Sequence, residues 1–229
     1  MILSLPLNDL KAYVAAQLNH FFPDKNVIKP SDLNEVLDVA IDRVNYCFSK
    51  VAYERYNKNG QTILNHLYAD QYLVFIWFLS NTVWKNNNNN TLLATKLYYL
   101  NKSLHAFDCM YDTGLPDIFL IFHGAGTMLG KASYADYFVA LQGCTIGSHK
   151  GKYPVMGQGV ALAAHASIIG NCNIGDRVTL SANASVYERN ISSDILVFRD
   201  AIAGSLCLKE TKNSYSQSFF NVDLSTISK

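Results

Sequence analysis

Large aliphatic residues recur every six positions from Met156 through Leu162, Ile168, Ile174 and Leu180 to Val186. Two positions before each stand Pro154, Val160, Ala166, Cys172, Val178 and Ala184, all small or apolar. Gly157, Ala163, Gly175 and Ser181 follow the aliphatic column, with Ile169 the exception. A period of six, with an inward aliphatic and a tight corner beside it, marks a hexapeptide parallel β-helix. An ordinary sheet protein would have to match that register six times in two columns by chance. Three steps close one triangular coil of about 18 residues, which stacks on the next as in any solenoid. Upstream, Leu129-Gly130, Ala135 and Leu141 continue the six-step, and Ile146-Gly147 then falls one residue short. Between Ile146 and Met156 lies GSHKGKYPV, with two glycines and a proline, which reads as a loop interrupting the coil. Loops thrown out from a rigid scaffold are where binding residues collect.

The first hundred residues carry a different period. Leu7, Leu10, Val14, Leu18 and Phe21 fall at helical spacing, and Pro23 ends the pattern. Ser31 is placed to cap a second helix whose apolar side holds Leu33, Val36, Leu37, Ala40 and Val44. A third helix is predicted from about Ile63 to Trp84 and a fourth from Leu92 to about His105, with a solvated loop over Asn86 to Asn90. The predicted class is α+β: a helical domain over 1–105, a left-handed parallel β-helix over 106–200, and a polar, irregular tail over 201–229.

Composition sets outer bounds. With 49% apolar residues in 229, the chain can bury a real core. Its net charge of +1 and lack of a basic stripe point away from nucleic acid. The longest apolar run, Tyr72 to Leu79, is too short to span a bilayer and reads as a buried helix. The opening MILSLPLNDLKAY lacks the basic n-region of a signal peptide. Five cysteines without CxxC spacing argue against a metal site or a disulfide framework and fit a reducing cytoplasm. Cys172 falls in an inward column and is expected in the core.

A helical domain followed by a hexapeptide β-helix resembles the layout of the serine acetyltransferases. The stretch VMGQGVALAAHASIIGNCNIGDRVTLSANASV, from Val155 to Val186, is similar to that family's final coils without a gap, and HGAGTMLGKA from His123 resembles the segment that carries its catalytic histidine. In the family an aspartate precedes this histidine by fifteen residues, a place held here by Asp108 in HAFDCMYD. The resemblance covers about residues 92 to 187 and the N-terminal helices by layout alone. It implies an acetyl-CoA-dependent acetyltransferase, needing no metal, in which His123 is the general base and Asp108 its partner. It also implies a CoA arm lying along the helix beside Ala163, His165 and Ser181, and a homotrimer with its active sites between neighbouring subunits.

The pair makes physical sense independently of the family. Fifteen residues along a coil of about 18 brings the chain nearly above its start, one rung of about 4.8 Å away. A carboxylate there would hold one imidazole tautomer and support the imidazolium formed as the base takes a proton. The same pair could equally be a structural histidine satisfied by a carboxylate. His149, in the projecting loop, either meets the acceptor or is simply solvated. His66 and Asp70, four apart in NHLYADQY on a predicted helix, would share a face and either reach an acceptor or serve packing and capping. The family's glycine- and proline-containing segment after the last coil is replaced by VFRDAIAG, so Arg199 and Lys209 are placed either to pair CoA phosphates or to stand as solvated charges.

The departures from the family bear on the acceptor. The family's aspartate before the histidine, which meets the serine ammonium, is Phe122 here, and its loop Arg-His-Pro is Lys152, Tyr153 and Pro154. Lysine lacks the bidentate fork for a carboxylate, and phenylalanine offers an apolar face in place of a counter-charge. Each lost charged contact would cost about 2–5 kcal/mol. The expected acceptor is therefore a saccharide hydroxyl or amine, as in surface polysaccharide synthesis, with Phe122 and Tyr153 as stacking faces. Serine in an altered pocket is the alternative enzyme reading, and a non-catalytic β-helix scaffold the alternative of another class.

Overall fold

The structure, a computed structural model, describes residues 1–86 and 91–227. The chain divides into two compact units, residues 1–49 with 54–112, and residues 50–53 with 113–229.

The first unit opens with β1 (Ile2–Leu3) and α1 (Leu7–Phe21), whose inward stripe of Leu10, Val14 and Leu18 is buried as the spacing predicts. Ser31 does not cap the second helix. It lies inside a 3₁₀ turn, Pro30–Leu33, entered where the Lys29 N–H donates to the Asp32 carboxylate at 2.9 Å. Helix α2 (Asn34–Ser49) follows directly and buries Val36, Leu37, Ala40 and Val44. The helix predicted from Ile63 begins later. Between α2 and it stand β2 (Asn57–Lys58) and β3 (Gln61–Leu64), a hairpin turned by Asn59 and Gly60, both with positive φ, and β1 pairs with β3 in parallel. An Asn-Gly pair favours the type of tight turn that joins two strands, and it overrides the helical spacing read through Ile63.

Helix α3 (Ala69–Asn86) then buries every residue from Asp70 to Val83, so the run Tyr72–Leu79 is a buried helix as expected. Asn86 closes this helix instead of opening a loop, and the rest of the predicted loop, 87–90, lies outside the described residues. Helix α4 (Thr91–His105) ends the helical series where predicted.

The second unit is a parallel β-helix. One face stacks β4 (Phe119–Ile121), β6 (Phe138–Ala140), β9 (Ala161–Leu162), β12 (Thr179–Leu180) and β14 (Ile195–Arg199). A second stacks β5 (Met128–Leu129), β7 (Thr145–Gly147), β10 (Ser167–Ile169) and β13 (Ser185–Tyr187). The third pairs β8 (Val155–Met156) with β11 (Asn173–Ile174), flanked by bridges from Ser133 to Val155 and from Ile174 to Ile191. Ala161 aligns with Thr179 and Ser167 with Ser185, the 18-residue spacing of three hexapeptides. Both columns read from the sequence are buried from Pro154 to Val186, Cys172 among them.

The upstream register slips by one. Leu129 pairs with Ile146 as an inward residue, but the next inward positions are Tyr134 and Ala140, not Ala135 and Leu141. The corner between Leu129 and Tyr134 is one residue short, and this accounts for the shortfall at Ile146. Val139 aligns with Ala161 and Thr145 with Ser167 at a spacing of 22. The extra four residues are the projecting loop, which interrupts the coil where predicted.

The tail is not irregular. β15 (Leu206–Glu210) folds back antiparallel on β14, and 3₁₀ turns follow at Tyr215–Phe219 and Leu224–Thr226. Buried Phe219, Phe220 and Leu224 supply the apolar anchor, and Phe219–Asn221 pairs with Lys50–Ala52 through backbone hydrogen bonds of 2.9 Å. Ser216, fully buried, donates its hydroxyl to the Gly159 carbonyl at 2.7 Å. No helix among the described residues is long and apolar enough to cross a membrane, and all five cysteines are free thiols.

Candidate active site

His123 stands just past β4 with φ of 51°, a left-handed corner that exposes its side chain to solvent. The Phe122 N–H donates to the Ala140 carbonyl at 3.0 Å and carries the ladder one residue beyond the strand. Just beyond the histidine, the Thr127 N–H donates to the Gly124 carbonyl at 3.0 Å, and buried Thr127 donates its hydroxyl to Leu141 at 2.7 Å. The segment that carries His123 is thus fixed to the coil at both ends. The Phe122 ring packs edge-on against Tyr53, centroids 5.7 Å apart, and tilted against Phe219 at 5.1 Å. An aromatic cluster therefore occupies the place beside the histidine where the resemblance would have an aspartate.

Asp108 lies in the first unit, just beyond α4. Its Oδ1 accepts from the Tyr98 hydroxyl at 2.8 Å and its Oδ2 from Lys102 Nζ at 2.7 Å. Burial pushes its pKa up, but the hydrogen bonds from Lys102 and Tyr98 outweigh that and hold it below the ordinary carboxylate value. It is a carboxylate at neutral pH.

His66 and Asp70 do not share a helical face. His66 precedes α3, where Ser4 Oγ accepts from its backbone N–H at 2.9 Å and meets Nδ1 at 2.7 Å, while Asp70 sits buried in the helix's first turn. The misplaced helix start accounts for the difference.

The projecting loop is a tight reversal. His149 and Lys152 exchange backbone hydrogen bonds of 3.0 and 2.9 Å around Lys150 and Gly151, both with positive φ. Lys152 and Tyr153 leave this turn exposed to solvent. His149 faces Tyr187 and Glu188, partners 38 and 39 residues away that no local pattern announces.

Along the coil, a groove of about 330 Å³ brings together Ala163 and Ser181 with Thr179, Ala182 and Leu196. Its remaining wall is Thr211, Asn213 and Tyr215 from the returning tail, held where the Tyr215 N–H donates to Thr179 Oγ1 at 3.0 Å. Small side chains, hydroxyls and an absence of charge suit a thin, neutral, amide-bearing chain such as a pantetheine arm. His165 occupies a left-handed corner, φ 60°, and is exposed. Arg199 and Lys209 lie on the terminal hairpin outside the groove lining, where Arg199 donates to the Gly204 carbonyl at 2.8 Å. The tail's wall is not legible in the sequence, because residues 211–215 resemble a polar linker and meet the coil only through the fold-back. A larger groove of about 600 Å³ runs along the third face, over Gly157 and Gly175 and between Gln158, Asn173, Asp176 and Ser193.

No family model matches the chain. A serine acetyltransferase of Synechococcus elongatus is 29% identical over 119 residues, and the chain spans about half the length of this curated relative, 48%, with 50% of its own. Among solved structures, the serine acetyltransferase of Neisseria gonorrhoeae superposes with a TM-score of 0.67 over 93% of this chain and 82% of that one, at 18% identity. A serine acetyltransferase in complex with CoA reaches 0.64 over 89% and 85% at 16% identity, and isoform 3 from Entamoeba histolytica, in complex with cysteine, 0.57 over 91% and 74% at 17%. The chain has the fold of the hexapeptide-repeat acyltransferases. It is similar to the serine acetyltransferases in architecture, and in sequence over half of its length.

Proposed function

We propose that the chain is an acetyl-CoA-dependent acetyltransferase in which His123 is the general base. The observation that carries this reading is the neutral groove holding Ala163 and Ser181 on the same β-helix whose corner exposes His123. In the reaction His123 takes the proton of the acceptor hydroxyl as its oxygen bonds to the thioester carbonyl carbon. The carbon–sulfur bond then breaks, and the imidazolium returns the proton to the departing thiolate. The acetyl-CoA thioester is the acyl donor, and Ala163, Ser181, Ala182 and Tyr215 would hold its pantetheine arm. Asp108 keeps the partner role the resemblance implies, and its ionisation at neutral pH is compatible with supporting an imidazolium.

The acceptor we propose is a saccharide hydroxyl or amine, supported by the uncharged Phe122 and the exposed Lys152 and Tyr153 at positions that would bind the two ends of a free amino acid. Phe122 is already flanked by Tyr53 and Phe219, so Tyr153 carries more of the stacking than the sequence suggests. Serine as acceptor is supported at least as strongly by the similarity to serine acetyltransferases. We also propose a homotrimer, which light scattering tests.

The deciding assay is CoA release, followed with a thiol reagent, from acetyl-CoA with serine, amino sugars and nucleotide-sugars offered separately. Turnover that depends on His123 and a sugar supports the saccharide reading, and brisk turnover with serine replaces it. No turnover and no CoA binding moves the chain to the scaffold class.

A further inference from the structure

Outside the groove and the His123 corner, one cluster joins three rungs of the coil. The imidazole of His149 lies 2.8 Å from Glu188 Oε1 through Nδ1, and the Tyr187 hydroxyl stands 2.9 Å from Nδ1 and 3.0 Å from Nε2, with ring centroids 5.1 Å apart. The carboxylate pairs with Nδ1, and the phenol hydroxyl, almost equidistant from the two ring nitrogens, lies against the ring. His149 belongs to the rung of β7, while Tyr187 and Glu188 close the rung of β13 two levels away.

The rung between them is left bare to let the pair meet. Gly170 has φ of +84°, and a Cβ there would come within 2.9 Å of Glu188 Cγ and 3.1 Å of His149 Cβ. The Glu188 N–H donates to Ile169 and the Gly170 N–H to Gly147, each at 3.0 Å, so the corner beneath the cluster is part of the coil. Beyond His149 the chain reverses at once through Lys150 and Gly151 into Lys152 and Tyr153. A four-residue insertion that could swing free is thereby held at its base.

We propose that His149, Tyr187 and Glu188 form a clamp that fixes the projecting loop, and that His149 and Glu188 are positioning residues for Lys152 and Tyr153 at the acceptor. The second half of this proposal rests on the acetyltransferase reading. The first does not.

The test uses the full chain carrying His149→Ala, Glu188→Ala, both together, and Glu188→Gln, which keeps an oxygen to accept from Nδ1–H. Trypsin reads the loop directly through cleavage after Lys150 and Lys152. Release of the clamp raises that cleavage rate several-fold in each alanine variant and no further in the double variant, because both remove the same contact. With the acceptor that gives turnover, KM for the acceptor rises about tenfold while KM for acetyl-CoA stays put, and Glu188→Gln recovers most of the loss. Unchanged loop cleavage overturns the clamp. Faster cleavage with an unchanged acceptor KM, or multiplied effects in the double variant, overturns the positioning role. Faster cleavage in a protein without turnover on any acceptor overturns the acetyltransferase reading and the positioning role together and leaves the clamp standing.

Discussion

Gly175 offers a quantitative check on how tightly the rungs are stacked. A Cβ placed there would lie 2.4 Å from the Ser193 backbone nitrogen, 2.6 Å from Ser193 Oγ and 2.8 Å from the Ser192 carbonyl carbon. Two of these atoms are backbone of the next rung, and that rung is tied down: the Gly175 N–H donates to Ile191 at 2.8 Å and the Asp176 N–H to Ser193 Oγ at 3.0 Å. Gly175→Ala therefore cannot be absorbed by a rotamer change and must lift one rung from another, an overpacking cost of about 1–3 kcal/mol. A chain of this size loses about 2–4 °C of Tm per kcal/mol, so the variant should melt about 2–12 °C lower. Gly147 is the internal control. It ends β7, has no positive φ, and its added Cβ would meet only Ile169 Cγ1 at 4.0 Å. Gly147→Ala should leave Tm unchanged or raise it by up to about 4 °C through a less flexible unfolded chain. Circular dichroism melts of the two variants beside the parent, at equal concentration, decide the matter. A Gly175→Ala protein melting within about 1 °C of the parent, or an equal fall for Gly147→Ala, would refute the stacking argument.

His123→Ala should lower turnover by about 10²–10⁴-fold while leaving CoA binding by calorimetry intact, as the loss of a general base requires. His105, half-buried at the end of α4 with its Nδ1 2.7 Å from Asn101 Oδ1, has its pKa pushed by desolvation from 6.5 down to about 4. The unfolded chain takes up a proton on this ring before the folded one does, so stability falls as pH drops from about 6.5 to about 4 and His105 contributes no further change below that. Urea midpoints of His105→Gln, followed through this window, should fall less than those of the parent. Ser216→Ala leaves the Gly159 carbonyl without its hydroxyl donor and should cost about 1–3 kcal/mol, measured by urea unfolding, with faster proteolysis of the tail.

The six-step made the β-helix legible because burial repeats with the coil: every residue of both columns from Pro154 to Val186 faces inward. It misled by one position at Ala135 and Leu141, since a corner shortened by a single residue leaves no mark in composition. The strand at Gln61–Leu64 was hidden by the continuous apolar run after it, although the Asn59-Gly60 turn was there to be read. Of the candidate site, the nearness of Ala163 and Ser181 in one groove is legible because both ride on the repeat. Tyr215 and the His149–Glu188 pair are not, because each depends on a segment folding back across tens of residues.

A stack of parallel rungs has no natural end, and the last one offers its backbone donors and acceptors to whatever strand comes next. In this chain the outer edge of β14 is taken by β15, which runs the opposite way and carries Lys209 and Glu210 exposed. A second molecule approaching that end finds a reversed, charged strand and not a rung in register with its own. The hairpin is thus a stopper against end-to-end growth, and a chain truncated before Leu206 should be prone to form fibres.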